Sequence, residues 1–491
     1  MKQPIFILCT LASTLCVTGC MVGPHYHRPA TNAPQIFRGA TAPDSNPQQH
    51  SSQVVSVEQL TTEQAGGPSL GDEKWAEVFK DPTLQQLIRE ALANNYDVKI
   101  AAQHVLEQQD QVGITRAQQF PTVSGGGSYT ALGLPSSLTK SLYSGGNTTS
   151  SFFAGGLSLS AAWNLDFWGL YRRQTVAARA QLLATEWGRR MTISTVVENV
   201  ATAYLQLRTL DYELEITKQT LEARKQSLQL TETLEQGGSG TLADVRQAEQ
   251  LLYTAAAAIP DFERQIEQEE NSISILLGRN PGPIVRKASE MNWPQPEQIP
   301  TGIPSQILER RPDIQQAEAE LVAANADVGV AKAQLFPQIS LSGMAGVASS
   351  QLKGLVDGKN TYWLASGNLT QPIFDAGRLR NNLRLSEAQK QEQVLTYQRT
   401  IKQAFQSVSD ALIGLEKFRE FREQEANLTA SAEDATRLAR LRYNGGSTGY
   451  LEVLTNDTNY YSAQLTLAVA REQEAISMVQ LYSALGGGWK P

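Results

Sequence analysis

Landmarks in the first half of this chain return in the second half, in the same order, 208 to 216 residues later. Gly113 and Arg116-Ala117-Gln118-Gln119-Phe120-Pro121 come back as Gly329 and Lys332-Ala333-Gln334-Leu335-Phe336-Pro337, an offset of 216. Gly169-Leu170-Tyr171-Arg172 comes back as Gly377-Arg378-Leu379-Arg380, Gly237-Gly238-Ser239 as Gly445-Gly446-Ser447 and Leu277-Gly278 as Leu485-Gly486, all at an offset of 208. The change of offset confines the length difference to the stretch between Pro121 and Gly169, where the first half carries eight more residues. One half of the fold is therefore a structural unit and the other half its copy.

The N-terminus sets the compartment. Lys2 precedes an apolar run at 5–17 that is too short to span a bilayer. Val17-Thr18-Gly19-Cys20 closes it as a lipobox, so 1–19 is a lipoprotein signal peptide and Cys20 the lipidation site. Met21 stands where an aspartate would retain the product in the inner membrane, so outer-membrane sorting is expected. Cys9 and Cys16 leave with the signal peptide, and no intramolecular disulfide can form. Removing 19 residues from 491 leaves 472, too many for one ordinary core. A net charge of −7 with both signs interspersed argues against nucleic acid as a partner. Beyond the signal peptide the longest apolar stretch, about 251–259, is far below the roughly 20 residues of a membrane helix. If the chain crosses a bilayer, it does so as strands.

Strand periodicity is present in two pairs of segments, about 121–168 and about 337–375. Leu157, Leu159, Ala161, Trp163 and Leu165 alternate with Ser158, Ser160, Ala162, Asn164 and Asp166, apolar against polar over about the ten residues a tilted transmembrane strand needs. The alternation is weaker after Pro121, returns in the same parity after Pro337, and is least regular at 362–374. A soluble half-buried sheet also alternates in this way.

The remainder reads as long helix. Residues 173–236 contain no proline and one glycine, Gly188. At 1.5 Å per residue those ~64 residues make a rod of roughly 95 Å. Ile193, Val197, Val200, Tyr204, Leu207, Leu214, Leu221 and Leu228 follow coiled-coil spacing, and Val196, Ala203 and Leu210 form a second stripe. Its copy is 378–443. Each rod ends in a Gly-Gly-Ser turn and reverses into a return helix, about 241–278 and 449–485. Thr241 with Asp244 reads as the first N-cap. Helices at about 83–119 and 313–335 precede the strands, each with proline at its first turn. The domain plan is an N-terminal lipid-anchored extended segment at 20–80, a first repeat at 81–278, a linker at 279–310, a second repeat at 311–486 and a tail at 487–491. Segment 52–80, the linker and the C-terminus are expected to form a belt around the helices.

Four strands cannot close a transmembrane barrel, because an open edge in lipid leaves backbone groups unpaired. Copies must pool their strands: two give 8, three give 12. Helices this long must project into the periplasm. Cys20-Met21-Val22-Gly23-Pro24-His25-Tyr26-His27-Arg28-Pro29 resembles the mature start of the NodT-type lipoprotein branch of the TolC/OprM outer-membrane efflux channels. Ala333-Gln334-Leu335-Phe336-Pro337, Gln371-Pro372-Ile373-Phe374-Asp375-Ala376-Gly377 and Ala484-Leu485-Gly486-Gly487-Gly488-Trp489 are similar to further motifs of that branch. The resemblance covers essentially the whole mature chain. It implies an α and β membrane protein, an internally duplicated long-helix α-barrel protomer giving four strands to a trimeric 12-stranded transmembrane β-barrel. It implies passive conduction of substrate as the outer-membrane channel of a tripartite efflux system. Its partners would be a homotrimer's other copies, a periplasmic adaptor, an inner-membrane pump of the RND type and outer-membrane lipid. The adaptor would meet the tip turns Gly237, Gly238, Ser239, Gly445, Gly446 and Ser447.

No catalytic constellation stands out. Of four histidines, His25, His27 and His50 lie near the N-terminus and His104 alone elsewhere, with no metal-ligand spacing. The protein is read as no enzyme, with no cofactor and no metal. In channels of this family a leucine near the start of the second return helix and an aspartate one turn later form constricting rings. The resemblance places the leucine at Leu451 and the aspartate position at Thr455, a departure from the pattern. Either Asp457 replaces the carboxylate or the acidic ring is absent. Asp244 and Arg246 hold the equivalent place in the first return helix, with Arg440 and Arg442 as expected salt-bridge partners. A rival reading is a lipid-anchored periplasmic coiled-coil scaffold or adhesin without a pore. It leaves the amphipathic strands and the duplication unexplained.

Overall fold

The computed structural model describes residues 21–31, 34, 37–39, 69–133, 151–286 and 304–490. The signal peptide, Cys20, the belt segment 52–68, most of the linker and the tip of the first strand hairpin lie outside them. The chain forms two compact units, one of Met1–Pro29, Leu106–Ala184 and Glu318–Thr396, the other of Ala30–Val105, Thr185–Ala317 and Tyr397–Pro491.

The elements follow the duplication closely. After the short α1 (Trp75–Val78), α2 (Pro82–Asn94) and α3 (Tyr96–Ala117) lead to β1 (Thr122–Gly133) and β2 (Ser151–Leu165). Then come α4 (Leu170–Gln236) and α5 (Leu242–Leu276). The second half runs α6 (Ile307–Arg310), α7 (Pro312–Ala333), β3 (Gln338–Ser349), β4 (Thr361–Thr370), α8 (Arg378–Asn444) and α9 (Tyr450–Ala484). The helices α4 and α8 have 67 residues each, α5 and α9 have 35, and α3 and α7 have 22. No helix among the described residues is long and apolar enough to cross a membrane.

The single helix expected over about 83–119 is two, because buried Asn95 ends one and starts the next. Its Oδ1 accepts from the Asp97 and Val98 amides at 2.8 and 3.2 Å, capping α3, while its Nδ2 donates to the Leu276 carbonyl at 2.8 Å, capping the end of α5. The second half makes the matching junction differently: Arg311 donates to the Ala484 carbonyl at 2.8 Å, at the end of α9. Gly278 and Gly486, with φ of +70° and +86°, terminate the two return helices at these junctions. A Cβ on Gly278 would lie 2.4 Å from the Asn94 carbonyl oxygen, so only glycine fits there. Residues 72 and 73 are held from three places: Tyr482 donates to the Glu73 carbonyl, and Arg310 and Lys490 both reach Asp72.

In the first unit the strands form one antiparallel sheet in the order β1-β2-β3-β4. Thr122 pairs with Ala162 in the β1–β2 hairpin, and Gln338 with Thr370 in the β3–β4 hairpin. Adding 216 to the first pair's first residue and 208 to its second gives the other pair, so the two hairpins have one register. The apolar face carries Val123, Tyr129, Leu157, Leu159, Leu341, Trp363 and Leu369, all exposed. The opposite face carries the serine pairs Ser124–Ser160 and Ser342–Ser366, with oxygens 2.9 and 2.7 Å apart. Apolar out and polar in is what a transmembrane barrel wall requires.

Candidate functional site: the helical tip

The two turns at the far ends of α4 and α8 lie in the second unit, where four helices meet. Each turn is closed by a glycine in the left-handed region, Gly238 at φ +71° and Gly446 at φ +68°. Ser239 donates to the Leu234 carbonyl and Ser447 to the Arg442 carbonyl, both at 2.8 Å, so orphan carbonyls at each helix end are satisfied. Gly237 and Gly445 donate in the same way to Thr233 and Leu441, both at 3.0 Å. The six turn residues proposed from sequence thus form two equivalent caps.

Beyond the turns the return helices start differently. Thr241 and Asp244 make the expected capping box, with the Asp244 amide 3.2 Å from Thr241 Oγ1 and the Thr241 amide 3.1 Å from Asp244 Oδ2. Arg246, two residues on, pairs with Glu249 of its own helix at 2.7 Å and is exposed. In the second half Gly449 offers no side chain to cap α9. Glu452, the counterpart of Asp244, instead takes Arg442 Nη1 at 2.7 Å and the Thr448 hydroxyl. The salt bridges of Arg440 and Arg442 go to Asp457 and Glu452, not to Asp244. Tyr443 of the second half instead senses Asp244: burial first, and then the Asp244 carboxylate, pushes its phenol above the usual range.

Asp457 is the most buried carboxylate of the tip, at 7% exposure. Arg224 Nε of α4 donates to its Oδ2 at 2.9 Å and Arg440 Nη2 of α8 to its Oδ1 at 2.8 Å. Arg224 also donates to the Leu251 carbonyl of α5 at 2.9 Å and lies 5.2 Å over the Tyr461 ring. One carboxylate and one guanidinium therefore join all four helices. Around them Ala248, Ala439, Tyr450 and Val453 form a small core, with Ser227 3.1 Å from the Tyr450 hydroxyl. Asp457 points into this junction and not onto a free face of α9. Arg224 escaped the sequence reading because it sits mid-helix among other charges. The signal lay in its having no charged copy: its counterpart 208 residues on is Ala432.

Leu451 behaves oppositely. It is 62% exposed although its neighbours Tyr450 and Val453 are buried. Thr455, one turn later, is also exposed and gives its hydroxyl to the Leu451 carbonyl at 2.9 Å. Leu451 and Thr455 share a helix face turned away from the four-helix junction. Among the described residues no cluster of His, Cys, Asp or Glu could hold a metal ion.

The profile of the family described as outer membrane efflux protein matches residues 87–279 and 303–487. The chain belongs to the outer membrane efflux protein family. It is 35% identical over 483 residues to the probable efflux pump outer membrane protein TtgC of Pseudomonas putida, covering 98% of this chain and 96% of that one. It is 32% identical over 474 residues to the cation efflux system protein CusC of Escherichia coli, covering 96% and 97%. The crystal structure of the Neisseria gonorrhoeae MtrE channel in its open state superposes with a TM-score of 0.80 at 27% identity, over 96% of this chain and 99% of that one. As a member of the outer membrane efflux protein family, the chain is a trimeric outer-membrane channel with its helical part in the periplasm, coupled to a periplasmic adaptor and an inner-membrane RND pump. It is not an enzyme, and the pore-less scaffold is set aside.

Proposed function

We propose that the channel is constricted at its periplasmic tip by Leu451, with Thr455 supplying a hydroxyl ring where related channels place a carboxylate. The observation that supports this is an apolar side chain left bare at the first turn of α9 while the residues beside it are buried. In this reading Asp457 holds the start of α9 in place, Asp244 serves as the N-cap of α5, and Arg246 is a surface charge. The tip turns around Gly238 and Gly446 present the surface that the adaptor grips. Leu451→Ala is expected to raise single-channel conductance in planar bilayers severalfold; conductance equal to that of the unaltered channel removes Leu451 from the constriction.

Lipidation of Cys20 is proposed on the placement of residues 21–28. Val22 donates to the Trp168 carbonyl at 3.1 Å and its own carbonyl takes Arg173 Nε at 3.1 Å, while Met21 covers Gly169. Tyr26 and Arg28 are fixed on Glu318. Residues 21–28 are thus fastened beside the start of α4. Mass analysis of the mature N-terminus tests the modification. Cys20→Ala is expected to lose the acyl mass yet stay in the outer membrane, because twelve strands anchor more firmly than one lipid; complete release from the membrane would contradict this.

The cargo follows the pump. TtgC, an efflux pump protein, and CusC, a cation efflux protein, are nearly equally similar to this chain. We infer that the channel conducts what its inner-membrane partner delivers, and export by cells that carry the channel with one candidate pump at a time tests that.

A further inference from the structure

The sheet has two open edges, β1 and β4, and the duplication specifies how they meet in the trimer. The chain's two hairpins already obey the repeat, since the register of β1 with β2 becomes that of β3 with β4 under the offsets of 216 and 208. The remaining contact, β2 with β3, joins the end of one repeat to the start of the next. Its counterpart joins the end of the second repeat to the start of a first repeat, which only a neighbouring copy can supply. We propose that β4 of one protomer pairs with β1 of the next in the register obtained by transposing the β2–β3 ladder, adding 208 to each β2 residue and subtracting 216 from each β3 residue. Leu165↔Ile339 becomes Ile373↔Val123, Ala161↔Gly343 becomes Leu369↔Gly127, and Leu159↔Ala345 becomes Gly367↔Tyr129. The proposal rests on the trimeric barrel.

Two observations independent of the arithmetic agree with this register. β4 has 10 residues where its counterpart β2 has 15, and it stops at Thr370 although the transposed ladder runs on to Ile373. Residues 371–373 correspond to 163–165, which pair with β3 inside the protomer. They pair with no strand in one copy, and Ile373 is accordingly 99% exposed. The proposed ladder gives that side chain Val123, itself 64% exposed, on the same face. Size also alternates across the seam. Leu369 meets Gly127 and the Tyr129 ring meets Gly367, so those two edge glycines are covered by large neighbours, while Gly125 meets Gln371. A slip of one residue turns every side chain to the wrong face, and a slip of two sets Gly367 against Gly127 or Leu369 against Tyr129 and breaks the match.

Cysteine cross-linking in the full-length trimer tests the register. Leu369→Cys with Gly127→Cys, oxidised in outer membranes, is expected to turn the bulk of the protein into covalent trimers. Leu369→Cys with Gly125→Cys or with Tyr129→Cys is expected to leave it unlinked, because diagonal neighbours two residues apart stand about 7–8 Å away. Ile373→Cys with Val123→Cys is the second pair and sacrifices no glycine. Trimers in which position 369 links to 125 or 129 in preference to 127, or in which neither proposed pair links, overturn the register. Absence of any trimer from the unaltered protein would instead overturn the barrel reading on which it rests.

Discussion

The hairpins α4–α5 and α8–α9 have the same helix lengths and the same glycine turn, yet they are held together differently. Across α4 and α5 the direct ion pair is Lys218 with Glu263, exposed and 3.9 Å apart, while Arg286 in the segment after α5 bridges Asp211 of α4 and Glu270 of α5. Across α8 and α9, buried Glu474 takes both Arg419 and Arg422, and Asp457 takes Arg440. Two acidic positions show the divergence best. Asp244 and its counterpart Glu452 are a helix cap and a cross-helix partner of Arg442. Glu249 and its counterpart Asp457 are one half of a surface pair within a helix and the centre of a buried network. The two rods are equal in length, and it is the second hairpin whose buried carboxylates are tied directly across helices. That wiring fixes the helix start from which Leu451 protrudes.

Breaking the pair of counterparts should give unequal results. Asp457→Ala leaves Arg224 buried without its counter-charge, a loss of about 3–5 kcal/mol. Faster tryptic cleavage after Arg440 and a higher conductance are the expected readouts. Glu249→Ala removes one partner of an exposed pair and should cost at most about 0.5 kcal/mol; equal protease resistance in the two variants would erase the distinction.

A smaller effect concerns the acids along the first rod. Burial, and after it the Glu472 carboxylate, pushes Glu213 from 4.5 up to about 7. Burial and Glu472 also raise Glu269, while Glu472 itself is raised by burial and eased by a hydrogen bond from Thr209. Glu213 thus stays protonated in the folded protein over a range in which the unfolded chain has already released the proton. Its contribution to stability therefore falls as pH rises from about 4.5 to about 7 and is constant outside that window. Glu213→Gln should flatten the pH dependence of thermal unfolding there, and an unchanged slope would contradict it. Thr241→Ala removes the cap of α5 at a cost of about 1 kcal/mol. The Gly449 start of α9 has no such cap to lose.

The rods, turns and strands were legible in the sequence because they depend on local pattern: glycine at the turns, proline at the helix starts, and period-2 alternation after Pro121 and Pro337. Asn95 was not, since its side chain breaks a helix only by reaching the Leu276 carbonyl, 181 residues away. The same holds at the tip. Thr241 and Asp244 were readable as a cap because they are three residues apart. The Arg224–Asp457 pair spans 233 residues, and nothing in the local pattern marks which of many helix-surface charges turns inward. Leu451 could be located by resemblance, but its exposure beside buried Tyr450 required the structure.

Channel block by a thiol reagent tests most directly whether the second hairpin carries the constriction. Leu451→Cys and its counterpart Ala243→Cys would be recorded in planar bilayers before and after a charged methanethiosulfonate is added. A constriction at α9 predicts that the reagent sharply reduces the Leu451→Cys current and leaves the Ala243→Cys current unchanged. Equal block of both, or block of neither, would contradict it.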